Sequence, residues 1–217
     1  DPALCLAYPK YDVETISIID TLKALEEVTI EGKIVDTNGI LDDFNGTIFP
    51  TVYDKEVIRT TLGQESCTPM PYRDQSNILY RGSATVKEGQ FSFSFVVPKD
   101  IAYNYGPGKI SYYAVSDDEN PIDASGSDAS FVIGGTADDI VYDYDGANLE
   151  LFMNTRQFVN GGLTDKDPVL LVDVEDFSGI NTVGNGIGHD IVAVLDGATH
   201  LPFVLNEYYE ADKDDYK

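Results

Sequence analysis

The run Gln90-Phe91-Ser92-Phe93-Ser94-Phe95-Val96-Val97 constrains this chain more than any other stretch. Successive strand residues point to opposite faces, so Phe91, Phe93 and Phe95 share one face and Ser92 and Ser94 the other. A helix would scatter the same rings around its circumference. The preceding stretch, residues 77–86, also reads as a strand, and Lys87-Glu88-Gly89 forms a short glycine-containing loop between the two. Together they predict an antiparallel hairpin, apolar on one face and solvated on the other. A lone hairpin is marginal in water, so its aromatic face requires a second layer.

Further strands supply that layer. Residues 28–35 alternate apolar and polar and stop at the turn Asp36-Thr37-Asn38-Gly39. Residues 46–54 read as a second strand, whose Pro50 predicts an edge or a bulge. Residues 109–115 and 129–134 follow as strands. Ile18, Ile19, Leu22, Leu25 and Val28 recur near helical spacing and predict a short helical turn. Glycine and acid then interrupt the rhythm at Gly134-Gly135-Thr136-Ala137-Asp138-Asp139, which marks a boundary. Beyond it, residues 148–153, 168–174 and 190–195 read as strands, with one more at 202–205. The expected fold is all-β, with two tandem immunoglobulin-like β-sandwich modules. The first spans 22–135 and the second 137–217, while 1–21 holds a linker and the end of an upstream domain. The second is shorter than the roughly 100 residues of an immunoglobulin sandwich and is expected to be truncated. Its last residues, Ala211–Lys217, are charged and are expected outside any core.

Composition narrows the function. The 217 residues carry 14 Lys and Arg against 38 Asp and Glu, a net charge of −24. So acidic a chain repels a phosphate backbone, which excludes nucleic acid as a partner. With 42% hydrophobic residues it is no disordered acidic tail. No apolar run approaches the ~20 residues that span a bilayer as a helix, so no transmembrane segment is expected. The chain opens at Asp1-Pro2 with neither an initiator Met nor a signal peptide, and is expected to be a mature or excised piece.

Reactive constellations are scarce. Cys5 and Cys67 lack Cys-x-x-Cys spacing, which leaves one long-range bridge or two free thiols. His189 and His200 are too few for a histidine metal site. The glycine-rich run from Gly184 to Asp190 opens a strand instead of a helix, so it reads as a bend between sheets and not a dinucleotide loop. Within it His189 and Asp190 point to opposite faces and cannot form a base–orienter pair locally. No Gly-x-Ser-x-Gly elbow nominates a nucleophile. Asp138, Asp139, Asp143 and Asp145, followed by Gly146, offer oxygens to a calcium ion, although their spacing departs from an EF-hand loop. Asp36-Thr37-Asn38-Gly39 and Asp42-Asp43-Phe44-Asn45-Gly46 have the same look and read as turns. Tyr103, Tyr105, Tyr112 and Tyr113 are candidates for stacking on sugars, against which stand cross-strand packing and the absence of Trp. No catalytic, cofactor-binding or metal residue is assigned, and calcium is the one cofactor left open.

Several stretches together resemble a known family. Asp1-Pro2-Ala3-Leu4-Cys5-Leu6-Ala7-Tyr8-Pro9 is similar to the end of a gingipain-type cysteine peptidase domain. Asp43-Phe44-Asn45-Gly46-Thr47, Val52-Tyr53-Asp54-Lys55 and the run from Phe91 to Asp100 resemble the region that follows it in the type IX secretion sortases of Bacteroidetes. So do Gly179–Gly184, Gly188–Ile191, Leu195-Asp196-Gly197 and the run from Leu205 to Glu210. The resemblance implies a secreted parent at the outer-membrane surface that cleaves sorting domains from cargo and attaches the cargo to lipopolysaccharide. It places the family's catalytic His and Cys upstream of Asp1, and no position here matches either motif. Cys5 stands where the family pattern has a basic residue, so it is a departure and not a nucleophile. The function expected on this basis is a non-catalytic accessory region that positions the peptidase domain and contacts cargo or outer-membrane partners. The alternative is a free-standing adhesin or glycan-binding module. A hydrolase using paired acids has no motif in its favour.

Overall fold

Alternation of apolar and polar residues organises most of the chain. The computed structural model describes residues 8–101, 104–138, 145–181 and 190–215. The described residues form strands joined by turns, with 3-10 turns at Gln64–Ser66 and Asn206–Tyr208 and no α-helix. In chain order the first strands are β1 (Tyr11–Ser17), β2 (Thr21–Ala24), β3 (Glu27–Asp36), β4 (Gly39–Ile40), β5 (Gly46–Tyr53), β6 (Val57–Thr60) and β7 (Pro71–Asp74). There follow β8 (Ile78–Arg81), β9 (Ala84–Val86), β10 (Gln90–Val96), β11 (Gly106–Pro107), β12 (Lys109–Ser116), β13 (Asp123–Asp128) and β14 (Val132–Thr136). Beyond these lie β15 (Asn148–Met153), β16 (Leu170–Glu175), β17 (Val192–Ala193) and β18 (Phe203–Val204).

The main sheet has nine strands in the order β10-β3-β1-β13-β12-β5-β8, with β4 on β3 and β9 on β5. Its pairs are antiparallel apart from β1 with β13. β9 turns into β10 through Glu88 and Gly89, bridged at Lys87 and Gln90, so the two ends of the sheet meet. The sheet thereby wraps around its own apolar face. Phe91 of β10 lies 5.7 Å from Tyr112 of β12, and Tyr80 of β8 stacks on Phe93 and Phe95 at 5.5 and 4.9 Å. These strands are not ladder neighbours, so the rings meet across the core, as the layers of a sandwich do. Gly32 of β3 lets the Phe91 ring in, since a Cβ there would stand 2.2 Å from it. A smaller sheet, β11-β14-β2, adds Leu22 and Ile133 to the same core, with Phe131 just ahead of β14. Each of these fully buried side chains contributes roughly 1.5–3 kcal/mol.

Several expectations need correction. The residues around Leu22 form no helical turn. Thr21–Ala24 alternates with Leu22 and Ala24 inward, and Leu25 turns the chain at φ 64° into β3. Residues 1–21, expected to hold the end of an upstream domain and a linker, include β1, which pairs with both β3 and β13 in the main sheet. Pro50 lies in an interior strand, between β12 on one side and β8 with β9 on the other. Its carbonyl accepts from Gly82 N, so its own nitrogen faces the same side, where the ladder breaks between β8 and β9. A proline there forfeits no ladder bond.

The residues beyond the boundary differ in kind. β15 pairs with β16 and β17 with β18, each pair as a separate two-stranded sheet. Among the described residues from 137 to 210 none is buried.

Candidate interaction surface

The two ends of the main sheet meet at a seam between β8–β9 and β10, and the end of the chain lies along it. Arg81 and Ser83 aim their carbonyls away from β5, since the intervening Gly82 N–H points toward Pro50. That exposed edge is taken by residues 207–215. Ala211 N donates to Arg81 O at 2.9 Å and Asp214 N to Ser83 O at 3.0 Å, with a parallel bridge between Gly82 and Ala211. The Asp214 carboxylate accepts from Thr85 N and Thr85 Oγ1, both at 2.6 Å. Arg81 donates to Glu207 O and Lys213 Nζ to Thr47 Oγ1, each at 3.0 Å. Ala211 is 7% exposed and belongs to the core, contrary to the expectation of a tail wholly outside it. A small side chain next to Gly82 can pack inward although its neighbours are charged.

This strap covers Tyr80, whose phenol is pushed up in pKa by burial and by Tyr209, Asp214 and Asp215. Tyr209 is raised by its own burial and then by Asp212 and Asp215. Between strap and sheet a cavity of about 160 Å³ remains, lined by Tyr80, Ser83, Ser92, Phe93, Ser94, Asp214 and Asp215. Residues near Gly179 dock on the same side, with Asn181 Nδ2 2.5 Å from Asp100 Oδ2.

The β15–β16 hairpin offers a second kind of surface. Its register sets Leu149 against Val174, Leu151 against Val172 and Met153 against Leu170, which makes one face wholly apolar. Leu149 and Leu151 are exposed there. The other face is mixed, with Phe152 set against Leu171 and Glu150 against Asp173, and Arg156 grips Asp173 through Nε and Nη2 at 2.8 Å, which holds the Asp173 carboxyl below its usual range. The β6–β7 hairpin carries a third, with Ile58, Leu62, Met70 and Cys67 exposed at and beside its tip.

The residues singled out by sequence do not converge. Asp138 pairs with Lys23 at 2.8 Å, while Asp139 and Asp143 lie outside the described residues and Asp145 is exposed. Among the described residues no group of three His, Cys, Asp or Glu side chains is placed to hold a metal. Cys5, His189 and the glycines from 184 to 188 also lie outside the described residues, and Asp190 and His200 are exposed. Tyr112 and Tyr113 face opposite ways, as neighbours on a strand must. Tyr112 is buried, with its hydroxyl 2.9 Å from Thr15 Oγ1, and Tyr113 is exposed beside Phe49. Tyr103 is not among the described residues, so the described tyrosines make no single platform. The strap had no hydrophobic pattern to announce it.

The chain is thus all-β among its described residues, with a wrapped sheet, an edge filled by its own strap and exposed apolar hairpin faces. No helix among the described residues is long and apolar enough to cross a membrane. The chain is similar to part of PorU from Porphyromonas gingivalis, solved as a dimeric latent form, at 31% identity and a TM-score of 0.62. The match covers 99% of this chain and 21% of PorU, so the chain spans about a fifth of that protein. Spo0M, a sporulation control protein from Bacillus subtilis, matches at 18% identity and a TM-score of 0.32 over 58% of this chain and 49% of its own, too distant to carry an argument. No protein-family model and no curated protein matches the chain.

Proposed function

We propose that the chain is a non-catalytic accessory β-sandwich region of a gingipain-like sortase or peptidase of type IX secretion, working at the cell surface. The observation that carries this reading is the likeness to PorU over 99% of the chain. The region holds the peptidase domain of the same parent chain in position and offers faces to cargo or outer-membrane proteins. Its first immunoglobulin-like module runs from β1 to β14, since β1 lies between β3 and β13 in the main sheet, and the second follows from 137. The reading needs neither a cofactor nor calcium. The wrapped core supplies a stiff support, and the uncovered hairpin faces from β15 to β18 supply contact area of the kind that marks interaction sites. The test is to mix this chain with the separately produced peptidase domain of its parent and follow both by size-exclusion chromatography. Co-elution is expected. Separate elution at every salt concentration, with both pieces folded, contradicts the positioning role.

A further inference from the structure

The seam between β10 and the end of the chain gathers oxygen atoms around one polar cavity. Gln90 exchanges both main-chain bonds with Lys87, so its N–H and carbonyl face β9 and not β3. The β10–β3 ladder runs from Gln90 to Val96 without a bulge, so Ser92 and Ser94 turn their carbonyls the same way. β10 is the last strand of the sheet on that side, and past the Lys87–Gln90 bridge no ladder takes those carbonyls up. Opposite them residues 212–215 form a turn, with Asp215 N donating to Asp212 O at 3.1 Å and Asp214 at φ 60°. The turn brings the Asp214 and Asp215 carboxylates to the cavity of about 160 Å³ that Ser83, Ser92, Ser94 and Tyr80 also line.

Tyr80 makes this more than an acidic turn. It is 7% exposed, with its ring stacked on Phe93 and Phe95. A buried phenol normally bonds through its oxygen, yet the Tyr80 hydroxyl has no hydrogen-bond partner among the described residues. The charges of Asp214 and Asp215 act on that hydroxyl, which puts it on the carboxylate side of the cavity. Asp214 accepts from Thr85 N and Thr85 Oγ1, and these bonds orient the carboxylate without neutralising it.

We propose that this cavity is a calcium site. Its oxygens come from the Asp214 and Asp215 carboxylates, the Ser92 and Ser94 carbonyls and the Tyr80 hydroxyl, with water completing the shell. Calcium takes six to eight oxygens in flexible geometry and draws on carbonyls and water as well as carboxylates. Two carboxylates therefore suffice, although no three acidic, Cys or His side chains cluster among the described residues. The cavity has room for the ion and several waters, since one water occupies about 30 Å³. Magnesium demands near-ideal octahedral geometry and zinc favours His and Cys, so this mixture of carbonyls and carboxylates selects calcium. The net charge of −24 also concentrates cations at the surface. Bound there, the ion ties the turn to β10 and closes the seam. The site stands on these oxygens and holds whether or not the region serves a peptidase.

The test titrates the full chain with calcium chloride at about 0.15 M salt, where diffuse attraction between exposed charges is screened. Calorimetry is expected to show one saturable site with a Kd of roughly 0.1–1 mM, the range of extracellular calcium modules. Magnesium is expected to bind at least about tenfold more weakly. Hydrogen exchange at residues 211–214 is expected to slow as the site fills. Asp215→Asn is expected to weaken binding about tenfold through the lost ligand charge. Tyr80→Phe, which keeps the ring, is expected to weaken it severalfold. Asp145→Asn, at the acidic boundary near residue 137, is expected to leave it unchanged. Absence of saturable binding up to about 10 mM calcium, well above the expected range, overturns the proposal. So does undiminished affinity in a folded Asp215→Asn or Tyr80→Phe chain, or loss of binding in Asp145→Asn, since the ion then sits elsewhere.

Discussion

Asp54 and Lys55 are adjacent in sequence and form a buried ion pair, Nζ to Oδ1 at 2.8 Å, with side chains 4% and 6% exposed. β5 ends at Tyr53, and beyond the ladder the chain no longer has to send neighbouring side chains to opposite faces. The Lys55 stem lies over Gly106, where a Cβ would stand 2.9 Å from its Cδ. Gln75 Nε2 donates to both Asp54 O and Pro107 O and ties the corner to β11. Removing one partner of such a pair strands a charge. Lys55→Met is expected to destabilise the chain by about 3–5 kcal/mol in urea unfolding. Asp54→Leu with Lys55→Met is expected to recover a large part of the loss. A single variant as stable as the parent would show that the pair is not desolvated.

Tyr112 contributes to the alkaline limb of stability alongside Tyr80 and Tyr209, whose phenols burial also raises. Burial pushes the Tyr112 phenol up to about 12, and the hydrogen bond with Thr15 opposes part of that rise. The unfolded phenol loses its proton near the ordinary value while the folded one keeps it. The contribution is therefore complete below pH ~10 and is lost as pH climbs toward 12, in total about 3 kcal/mol. Unfolding free energy measured between pH 9 and 12 is expected to fall less steeply in Tyr112→Phe. Parallel curves would contradict this assignment.

Gly82 is the narrowest point under the strap. A Cβ there would stand 2.4 Å from Tyr80 Oη and 3.1 Å from Ala211 Cβ. Gly82→Val is expected to cost about 1–3 kcal/mol and to raise hydrogen exchange at residues 211–214 more than in the core strands. A uniform rise across the chain would mean that the strap is not a separable element.

Strand spacing made the core legible. Phe91, Phe93 and Phe95 face inward as their alternation requires, and β3, β5 and β12 follow the same rule. Strands without apolar alternation were invisible. Asp123–Asp128 carries no apolar alternation, yet it pairs with β1 and β12, and Gly126 gives the backbone of Val13 a close approach. β6 and β7 bury nothing and so left no pattern. The helical spacing near Leu22 misled because Ile18 and Ile19 lie outside any strand and Leu25 at a turn. The strap was hidden because its contacts are made by backbone, one alanine and one aspartate, and composition records none of these.

The β15–β16 hairpin has no second layer among the described residues, and a two-stranded sheet is marginal in water. Its amides are expected to exchange far faster than those of β3, β10 and β12 at neutral pH. Equal protection would mean that its apolar face is covered in solution, and cross-linking would then identify the cover.

The most direct measurement of the central claim is turnover by the purified chain. The account predicts no cleavage or transfer of peptide substrates, with thiol-blocked and untreated samples alike, because the sequence carries no nucleophile elbow and no match to the family's catalytic His and Cys motifs. Turnover that disappears in Cys67→Ala or Cys5→Ala would contradict it and make the chain an enzyme in its own right.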